Sequence, residues 1–413
     1  MRVVLSAYGS RGDVEPMAAL AVRLRALGAE VRVCAPPDAE FAELLAGVGV
    51  PLVPVGEPVR PLMHGVAPPS AADLSRLRVE LVAAQFGTLA SAAEGCDALV
   101  AAGMAQVAAR SVAEKLGIPY VYVSYQPIAL PSPHHPPPPR EGLPFPPDVT
   151  GNRALWDLDA RHLNELFGVA LGTQRAAIGL PPVDDVRGHV FTGRPWLAAD
   201  PVLGPWRETA GLTVVQTGAW VLPDERPLPA ALEAFLDAGT PPVYVGFGSM
   251  RAPQDVARVA VAAVRAQGRR VLVSRGWADL DPDLDLTDER ADCHVVGEVN
   301  LRALFPRVAA VVHHGGAGTT AAAARAGAPQ VVVPQMVDQP YWAGRVAALG
   351  IGAAHDGPVP TTASLSAALR TALAQGTRAR AAAVAATVRT DGAAVAARLL
   401  LDTVAQGRRP KSA

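Results

Sequence analysis

The chain has 413 residues, which is more than a single hydrophobic core usually accommodates, so we expect two domains. Half of the residues are hydrophobic, 18% are charged and the net charge at pH 7 is −1, which argues against nucleic acid or a membrane surface as a partner. No apolar run reaches the ~20 residues of a transmembrane helix, the first residues lack a signal-peptide core, and the 3 scattered cysteines form no CxxC pair, so we expect a cytoplasmic protein with reduced thiols and without a metal site.

The first half of the chain alternates short apolar runs with segments of helical spacing. Strands are predicted at residues 3–6, 31–35, 98–101 and 118–123. Helices are predicted at residues 17–27, 41–45 and 107–116. Gly28 marks the end of the first helix. This alternation predicts a parallel sheet covered by helices on both faces.

A proline-rich segment, residues 131–147, interrupts this pattern. Its prolines cannot donate hydrogen bonds to a sheet and favour extended geometry. An interdomain linker and a long surface loop are both compatible with such a composition. Helical spacing resumes at residues 156–167, and this favours a surface loop within the first domain.

A second alternating series follows residue 223. Strands are predicted at residues 243–247, 270–274, 308–313 and 330–333. Helices are predicted at residues 255–266, 341–349, 365–374 and 381–404. We therefore predict an N-terminal domain at residues 1–205, a linker at 206–223, and a C-terminal domain at 224–413 that includes the terminal helix.

Both halves place a Gly-Ser loop after their first strand, at residues 9–12 and 248–251. Ligands of open α/β sheets bind outside the carboxyl ends of the strands, so facing domains would bring both loops into one cleft. Ser10, Arg11 and Ser249 are therefore candidates for contact with a diphosphate. Asp13 follows the first loop, where it fits either an N-cap or a general base, and the two roles do not exclude each other.

The segment HHGGAGTT, residues 313–320, follows a predicted strand and precedes an alanine-rich helix. The pattern predicts a strand that ends in two histidines, a glycine turn, and a helix that opens through Thr319 or Thr320. A new helix offers unpaired N–H groups and a positive dipole end, which together bind anions. His314 is the stronger phosphate candidate because it directly precedes the glycines, although a strand-end histidine can also be a satisfied core residue.

Asp338 and Gln339 follow another predicted strand, where they fit either a helix cap or a pair that binds sugar hydroxyls. No P-loop motif occurs, and no GxGxxG follows the first strand. Kinase chemistry and hydride transfer to a dinucleotide are therefore disfavoured.

Taken together, HHGGAGTT, PQMVDQPYWAGRV (residues 334–346) and GSRGDVEP (residues 9–16) resemble antibiotic-modifying glycosyltransferases of the GT-B fold. More closely, the chain is similar to the enzymes that glycosylate vancomycin- and teicoplanin-type aglycones. Further similar stretches, which extend the resemblance over essentially the whole chain, are AEKLGIPY, PSPHHPPPP, PWLAADPVL, QTGAW, LPDERPL and SRGWADL. The resemblance implies an α/β protein with two Rossmann-like βαβ domains facing each other across a cleft. The N-terminal domain would bind the aglycone and the C-terminal domain the nucleotide sugar.

The resemblance also implies roles for individual residues. The donor-binding set comprises Ser10, Arg11, Ser249, His314, Gly315, Gly316, Gly318, Thr319 and Gln339, with His314 at the α-phosphate. Catalysis would depend on Asp13 as the base for the acceptor and on Asp338, which reads the sugar together with Gln339. The proline-rich loop would dock the aglycone. Plant relatives place a base-stacking tryptophan where this chain has Val296-Gly297-Glu298, and Trp277 is a candidate substitute.

The function that the resemblance implies is inverting, metal-independent transfer of glucose or N-acetylglucosamine from a UDP-sugar to a phenolic hydroxyl, that of a 4-hydroxyphenylglycine, in a glycopeptide aglycone. No cofactor is expected beyond the nucleotide sugar, and we expect a monomer. The alternatives are transfer of a deoxyaminosugar from a dTDP-sugar, epimerisation of a UDP-sugar, and a non-catalytic partner of another transferase.

Overall fold

The computed structural model describes residues 1–64, 70–140, 142–250, 255–277, 280 and 292–407. The chain forms two compact units. Unit 1 comprises Met1–Pro201, Pro205–Leu222 and Arg389–Ala413, and unit 2 comprises Val202–Gly204 and Pro223–Val388. Four residues of these segments lie outside the described residues: Glu141 in the proline-rich loop, Arg251 in the second Gly-Ser loop, and residues 278–279 of SRGWADL.

The described part of unit 1 contains one parallel sheet of seven strands, as the alternating pattern predicts. The strands are β1 (Arg2–Ala7), β2 (Glu30–Ala35), β3 (Leu52–Pro54), β4 (Ala98–Ala102), β5 (Tyr120–Ser124), β6 (Trp196–Leu197) and β7 (Val215–Gln216). Their order in the sheet is β3-β2-β1-β4-β5-β6-β7. Strands β1 and β4 pair from Val3 opposite Ala98 to Ala7 opposite Ala102. Their side chains are buried from Val3 to Ala7 and throughout β4, which is typical of a parallel sheet covered on both faces.

The helices of unit 1 cover this sheet. They are α1 (Arg11–Ala26), α2 (Ala39–Gly47), α3 (Val59–His64), α4 (Ala71–Ala93), α5 (Ala109–Leu116), α6 (Asn152–Ala177), α7 (Val186–Phe191) and α15 (Gly392–Gly407). Gly28 lies just beyond α1 with a φ of +84°, as expected for the glycine that ends a helix. The longest of the described helices are α4 and α6, and α6 follows the proline-rich loop in sequence. Helix α4 is absent from the sequence predictions because its apolar residues follow no clear stripe.

Unit 2 also contains one parallel sheet, with six strands in its described part. The strands are β8 (Val243–Gly246), β9 (Val271–Ser274), β10 (Cys293–Val296), β11 (Ala310–His313), β12 (Gln330–Val332) and β13 (Gly352–Ala354). Their order is β10-β9-β8-β11-β12-β13. The helices are α8 (Ala230–Asp237), α9 (Val256–Arg265), α10 (Leu301–Leu304), α11 (Ala317–Arg325), α12 (Gln339–Ala348), α13 (Thr362–Leu373) and α14 (Gln375–Ala385).

The predicted terminal helix differs from the structure in two ways. It is divided into α14 and α15, and α15 belongs to unit 1, whereas the sequence prediction assigns it to the C-terminal domain. Helix α15 packs on α1 and buries an apolar stripe: Ala393, Ala396, Ala397, Leu400 and Val404. Its first residue, Gly392, lies so close to the backbone of Gly218 that a Cβ on Gly392 would be 2.4 Å from the Gly218 carbonyl carbon. This burial accounts for the return of the chain to unit 1.

Each sheet has one point where the strand order reverses, between β1 and β4 in unit 1 and between β8 and β11 in unit 2. At such a point the loops leave neighbouring strands in opposite directions and open a crevice for a ligand. Ser10 and Asp13 follow β1, and His314 follows β11. The fold therefore brings candidate residues to the switch point of each sheet. None of the described helices combines the length and apolar character that crossing a bilayer requires.

Candidate active site

The turn after β1 is built around Ser10, which is the N-cap of α1. The Ser10 hydroxyl accepts a hydrogen bond from the backbone N–H of Gly12 at 3.3 Å, and Asp13 Oδ2 accepts one from the N–H of Ser10 at 2.9 Å. Ser10 and Asp13 thus form a capping box, in which Asp13 is the third residue of the helix. The interpretation of Asp13 as the N-cap is wrong, because the helix begins two residues before it.

Asp13 lies at the switch point of the unit 1 sheet. A Cβ on Gly9 would be 2.1 Å from Asp13 Oδ2, so only glycine fits there. A Cβ on Gly103, which follows β4, would be 3.8 Å from Asp13 Oδ1. The partly exposed carboxylate therefore lies between the ends of β1 and β4. Tyr125 Oη donates a hydrogen bond to the backbone carbonyl of Asp13 at 3.0 Å. Burial, with the charge of Asp13 second, raises the pKa of Tyr125 well above its ordinary value.

Arg11 is also half-buried in this turn, and its Nε lies 2.6 Å from Glu15 Oε2 one helical turn later. This ion pair orients the guanidinium without consuming all five of its N–H donors. A role of Arg11 at a diphosphate is compatible with this geometry and stays a prediction.

In unit 2, His313 is fully buried at the end of β11 and supports the turn that follows it. The N–H of Gly315 donates to His313 Nδ1 at 3.1 Å, so the ring proton is on Nε2, which donates to Gln330 Oε1 at 2.9 Å. Burial, and then the neighbouring His314, lower the pKa of His313 to about 3. His313 is therefore a neutral structural residue that fixes the first step of the glycine turn.

His314 lies between two glycines. A Cβ on Gly316 would be 2.5 Å from His314 Nε2, and a Cβ on Gly248 would be 3.0 Å from His314 Cε1. The side chain is 8% exposed, and its Nδ1 has no hydrogen-bond partner among the described residues. Burial lowers the pKa of His314 to about 4. The ring is thus neutral at pH 7 and retains a buried polar nitrogen for a ligand, which a satisfied core histidine would lack.

The glycine turn opens α11 earlier than predicted. The helix begins at Ala317 with Gly316 as its N-cap, so Gly318 and Thr319 are the second and third helical residues. No side chain caps this end, and Thr320 Oγ1 instead donates backward to the Gly316 carbonyl at 2.9 Å. Among the described residues, the first-turn N–H groups consequently have no side-chain acceptor. Because Gly318 is exposed, this helix end is accessible to an anion.

Gly315 makes the turn possible. Its φ is +94°, and a Cβ there would be 2.6 Å from Val332 Cγ1 of β12. Any side chain would therefore collide with the neighbouring strand. Such close packing sets the direction in which α11 leaves the sheet.

Ser249 belongs to the loop after β8, where the preceding residue, Gly248, lies beside the His314 ring. Trp277, after β9, donates its backbone N–H to the Gly248 carbonyl at 2.9 Å. The backbone of Trp277 is thus bonded to the same loop, and its indole is half-buried. Trp277 therefore stays a candidate for nucleobase contact. Glu298, from the segment where plant relatives place their tryptophan, lies 3.3 Å from Arg226.

Asp338 precedes α12 but does not cap it, since its side chain accepts no hydrogen bond from the first helical turn. Its Oδ2 accepts instead from the indole Nε1 of Trp342 at 2.7 Å. Burial raises the pKa of Asp338, and the Trp342 hydrogen bond acts in the opposite direction. Asp338 therefore occupies the N-cap position of α12, as the helix-cap alternative predicts, but its side chain does not cap the helix.

Gln339 is 4% exposed, and its Oε1 accepts the backbone N–H groups of Gln335 at 2.7 Å and of Met336 at 3.1 Å. It thus closes the turn that leads to Asp338. Within this turn Val337 has a φ of +55°, a conformation that costs a β-branched residue about 1–3 kcal/mol. The side-chain oxygen of Gln339 is therefore occupied by the turn. The binding of sugar hydroxyls by Gln339 stays a prediction.

The proline-rich loop is attached to α6 along its length. Trp156 Nε1 donates to the His135 carbonyl at 3.0 Å, and Asn152 Nδ2 donates to the Pro133 carbonyl at 2.9 Å. Arg140 Nε donates to the fully buried Asp159 at 2.7 Å. These contacts agree with a loop inside one domain rather than a linker.

Within the described residues, no three His, Cys, Asp or Glu side chains are grouped as a metal site would require. The polar groups at the two switch points are the Asp13 carboxylate, the His314 imidazole and the first-turn N–H groups of α11. A carboxylate can accept a proton, and the imidazole and N–H groups can bind an anion.

Solved structures with this architecture are glycosyltransferases. The glycotransferase of kitacinnamycin aligns with a TM-score of 0.73 at 19% identity, covering 97% of this chain and 98% of that one. The glycosyltransferase VinC, in complex with dTDP, aligns with a TM-score of 0.71 at 20% identity, covering 99% and 100%. The two α/β units are thus those of the GT-B fold.

Two family descriptions match the sequence. Residues 3–130 match the glycosyltransferase family 28 N-terminal domain, and residues 284–397 match the erythromycin biosynthesis protein CIII-like C-terminal domain. Among curated relatives from Amycolatopsis orientalis, glycosyltransferase GtfE is 60% identical over 98% of both chains. Vancomycin aglycone glucosyltransferase is 58% identical over 100% of both, and dTDP-epi-vancosaminyltransferase is 54% identical over 98% of both.

The chain therefore belongs to the glycopeptide antibiotic glycosyltransferases, and it is an enzyme of the GT-B fold. The resemblance in its motifs is confirmed by these matches. The epimerase and the non-catalytic partner receive no support from these relatives, which are named as transferases.

Some residues of the site are not evident from the motifs alone. Trp342, Gln330 and Gly248 each contact a candidate residue, and the sequence analysis assigns a role to none of the three, although Gly248 and Trp342 lie in segments that it singles out. Trp342 stands four residues after Asp338, and this helical spacing is a signal that a search for residue pairs would detect.

Proposed function

We propose that the enzyme transfers glucose or N-acetylglucosamine from a UDP-sugar to a phenolic hydroxyl of a glycopeptide aglycone, that of a 4-hydroxyphenylglycine, with inversion at the anomeric carbon. The observation that carries the proposal is the neutral His314, with a buried unpartnered nitrogen, beside the uncapped end of α11. Together they form a site for the phosphates of a nucleotide sugar.

In the proposed reaction Asp13 takes the proton from the acceptor phenol while the phenolic oxygen attacks the anomeric carbon. A new bond forms between that oxygen and the anomeric carbon as the bond from this carbon to the diphosphate oxygen breaks. The proton resides on Asp13, and the electron pair leaves with UDP. A phenol suits a carboxylate base because its pKa near 10 is far below that of an alkyl alcohol.

The leaving diphosphate gains negative charge as this bond breaks. A neutral His314 and the first-turn N–H groups of α11 would stabilise that charge through hydrogen bonds, in place of a metal ion. Ser10, Arg11 and Ser249 complete the proposed diphosphate contacts, while Asp338 and Gln339 bind the sugar hydroxyls.

The proposed acceptor site includes the proline-rich loop. Its attachment to α6 by Trp156, Asn152 and Asp159 gives a preformed surface, which lowers the entropy lost when a rigid aglycone docks. We also propose that the enzyme acts as a monomer in the cytoplasm, in keeping with its unpaired cysteines. Light scattering would reveal a stable oligomer and so contradict the monomer.

The direct test is incubation of the purified enzyme with a glycopeptide aglycone and a panel of UDP- and dTDP-sugars. Mass spectrometry should detect an aglycone heavier by one hexose or N-acetylhexosamine with the UDP-sugars, and NMR should locate a β-linkage from an α-configured donor on a phenolic oxygen. EDTA should leave turnover unchanged. Retention of configuration, or strong inhibition by EDTA, would contradict the proposal.

A second candidate is transfer of a deoxyaminosugar from a dTDP-sugar. It is favoured by the 54% identity to dTDP-epi-vancosaminyltransferase, whose name states that donor class. The same panel distinguishes the two, because the second candidate predicts product only with dTDP-deoxyaminosugars.

A further inference from the structure

We infer that Trp342 is a positioning residue for donor-sugar recognition, because its indole N–H holds the Asp338 carboxylate in one orientation. This inference rests on the proposed function, in which Asp338 binds the sugar. Trp342 itself would touch no substrate. It belongs to none of the residues that the sequence motifs mark as donor-binding.

The first step of the argument concerns the Asp338 carboxylate. A residue directly before a helix usually turns its side chain toward the first-turn N–H groups. Asp338 does not, since no such hydrogen bond exists and its backbone already has helical angles, with φ −90° and ψ −9°. Only the 2.7 Å hydrogen bond from Trp342 ties Oδ2 to another described side chain.

The second step concerns the backbone that carries Asp338. Gln339 accepts the N–H groups of Gln335 and Met336, and Gln335 Nε2 donates to the Val333 carbonyl at 3.1 Å and to the Pro358 carbonyl at 2.9 Å. These bonds hold the turn in a form that includes the strained Val337. With its backbone fixed, the remaining freedom of Asp338 is the rotation of its own side chain, which the Trp342 hydrogen bond removes.

The third step concerns Trp342. The indole is 3% exposed and packs edge-on against Tyr341, with ring centroids 5.0 Å apart. A buried indole N–H requires an acceptor, so the hydrogen bond to Asp338 is maintained with or without a ligand. The same bond favours the ionised carboxylate, whose pKa burial alone would raise further. An ionised, preoriented carboxylate is the form that accepts hydrogen bonds from two neighbouring hydroxyls of a sugar.

The test is Trp342→Phe, which removes the N–H and keeps an aromatic ring. Calorimetric titrations would use UDP and UDP-glucose, and dTDP and dTDP-glucose, so that each pair isolates the contribution of the sugar. We expect the affinity for the nucleotide alone to stay within about twofold, while the affinity for the matching nucleotide sugar falls about tenfold, in line with the loss of one hydrogen bond to a charged group. The KM for the donor should rise more than kcat falls.

Trp220→Phe is the matched control. Trp220 is also buried, at 5% exposure, and its Nε1 donates to a side-chain oxygen, Thr217 Oγ1, at 3.0 Å in unit 1. The control should lose thermal stability without changing the ratio of nucleotide-sugar to nucleotide affinity. An equal change of that ratio in both variants would overturn the inference.

A double-mutant cycle separates positioning from structural support. In an Asp338→Ala background, Trp342→Phe should have no further effect on the ratio, because its only route to the sugar is gone. Additive effects would overturn the inference. If the unmodified enzyme binds UDP-glucose no more tightly than UDP, and dTDP-glucose no more tightly than dTDP, both the proposed function and the inference fail. A sugar-dependent affinity that Trp342→Phe leaves intact would refute the inference alone.

Discussion

Arg140 of the proline-rich loop donates from Nε to Oδ1 of Asp159, a carboxylate on α6 with no exposed surface, at 2.7 Å. Arg187 of α7 lies 3.7 Å from the other oxygen. One buried charge thus connects the loop to two helices. Since a buried carboxylate is costly without its partners, this cluster should dominate the stability of the loop.

Arg140→Met should lower the free energy of unfolding by about 3 kcal/mol, the lower end of the range for a broken buried pair, because Arg187 remains near Asp159. Arg258→Met is the control, since its pair with Asp255 is exposed, and it should cost less than about 1 kcal/mol. Urea unfolding measures both. In steady-state kinetics, Arg140→Met should also raise the KM for the aglycone while UDP binding is unchanged. Similar costs for the two substitutions would contradict the importance of the buried cluster.

Asp13→Asn should lower kcat by about 10²–10⁴-fold, the usual contribution of a general base. Asparagine keeps a side-chain oxygen for the Ser10 N–H, so the capping box and the fold should survive, and UDP affinity should be nearly unchanged. Asp13→Ala, which also loses the hydrogen bond from the Ser10 N–H to the capping box, should cost about 1 kcal/mol more in stability without a further fall in kcat. Full turnover in Asp13→Asn would exclude this residue as the base.

His314→Ala should weaken UDP binding and turnover together, because the same ring serves the phosphate in the ground state and in the transition state. One hydrogen bond to a charged group predicts a loss of about 1.5–3 kcal/mol in binding. Calorimetry measures this loss of binding free energy. The control is His294→Gln, because His294 lies in β10, stacked on Phe235. Unchanged binding in His314→Ala would remove its role at the phosphate.

The two buried histidines of unit 2 also predict how stability depends on pH. Their folded pKa values, about 3 for His313 and about 4 for His314, lie below the ordinary value of 6.5. Between pH 6.5 and about 4 the unfolded chain binds protons that the folded chain excludes, so the free energy of unfolding falls with decreasing pH. Each residue contributes up to about 1.4 kcal/mol per pH unit in this window.

Urea unfolding from pH 7 to pH 4.5 measures this dependence. His313→Gln should make the acid decline shallower, whereas His134→Gln, at an exposed position of the proline-rich loop, should leave its slope unchanged. If the free energy of unfolding falls equally steeply with decreasing pH in the unmodified enzyme, His313→Gln and His134→Gln, other groups control acid stability.

Much of the fold follows from local patterns. The buried strand β4 is a uniform apolar run, β11 is apolar up to His313, and the Gly28 and Gly315 turns are predictable because their positive φ angles favour glycine. The start of α11 was less predictable: threonines are common caps, but here Gly316 takes that position and the helix end is left open.

The position of Asp13 in its helix was also less predictable. The sequence favours an N-cap because the start of α1 is not evident, and the capping box of Ser10 and Asp13 depends on where that helix begins.

The long-range contacts were not predictable from the sequence. The role of Asp159 depends on Arg140 and Arg187, which are distant from it in sequence and from different elements. The packing of α15 on α1 joins residues nearly 400 positions apart in the chain, and no local signal specifies it.

The return of the chain to unit 1 has a consequence for building hybrid enzymes from members of this family. Because unit 2 is largely inserted between Leu222 and Arg389, exchanging its sheet for a relative's requires two splice points rather than one. A single crossover would transplant a foreign α15 onto α1. Any side chain at position 392 of that foreign helix would then clash with the backbone of Gly218.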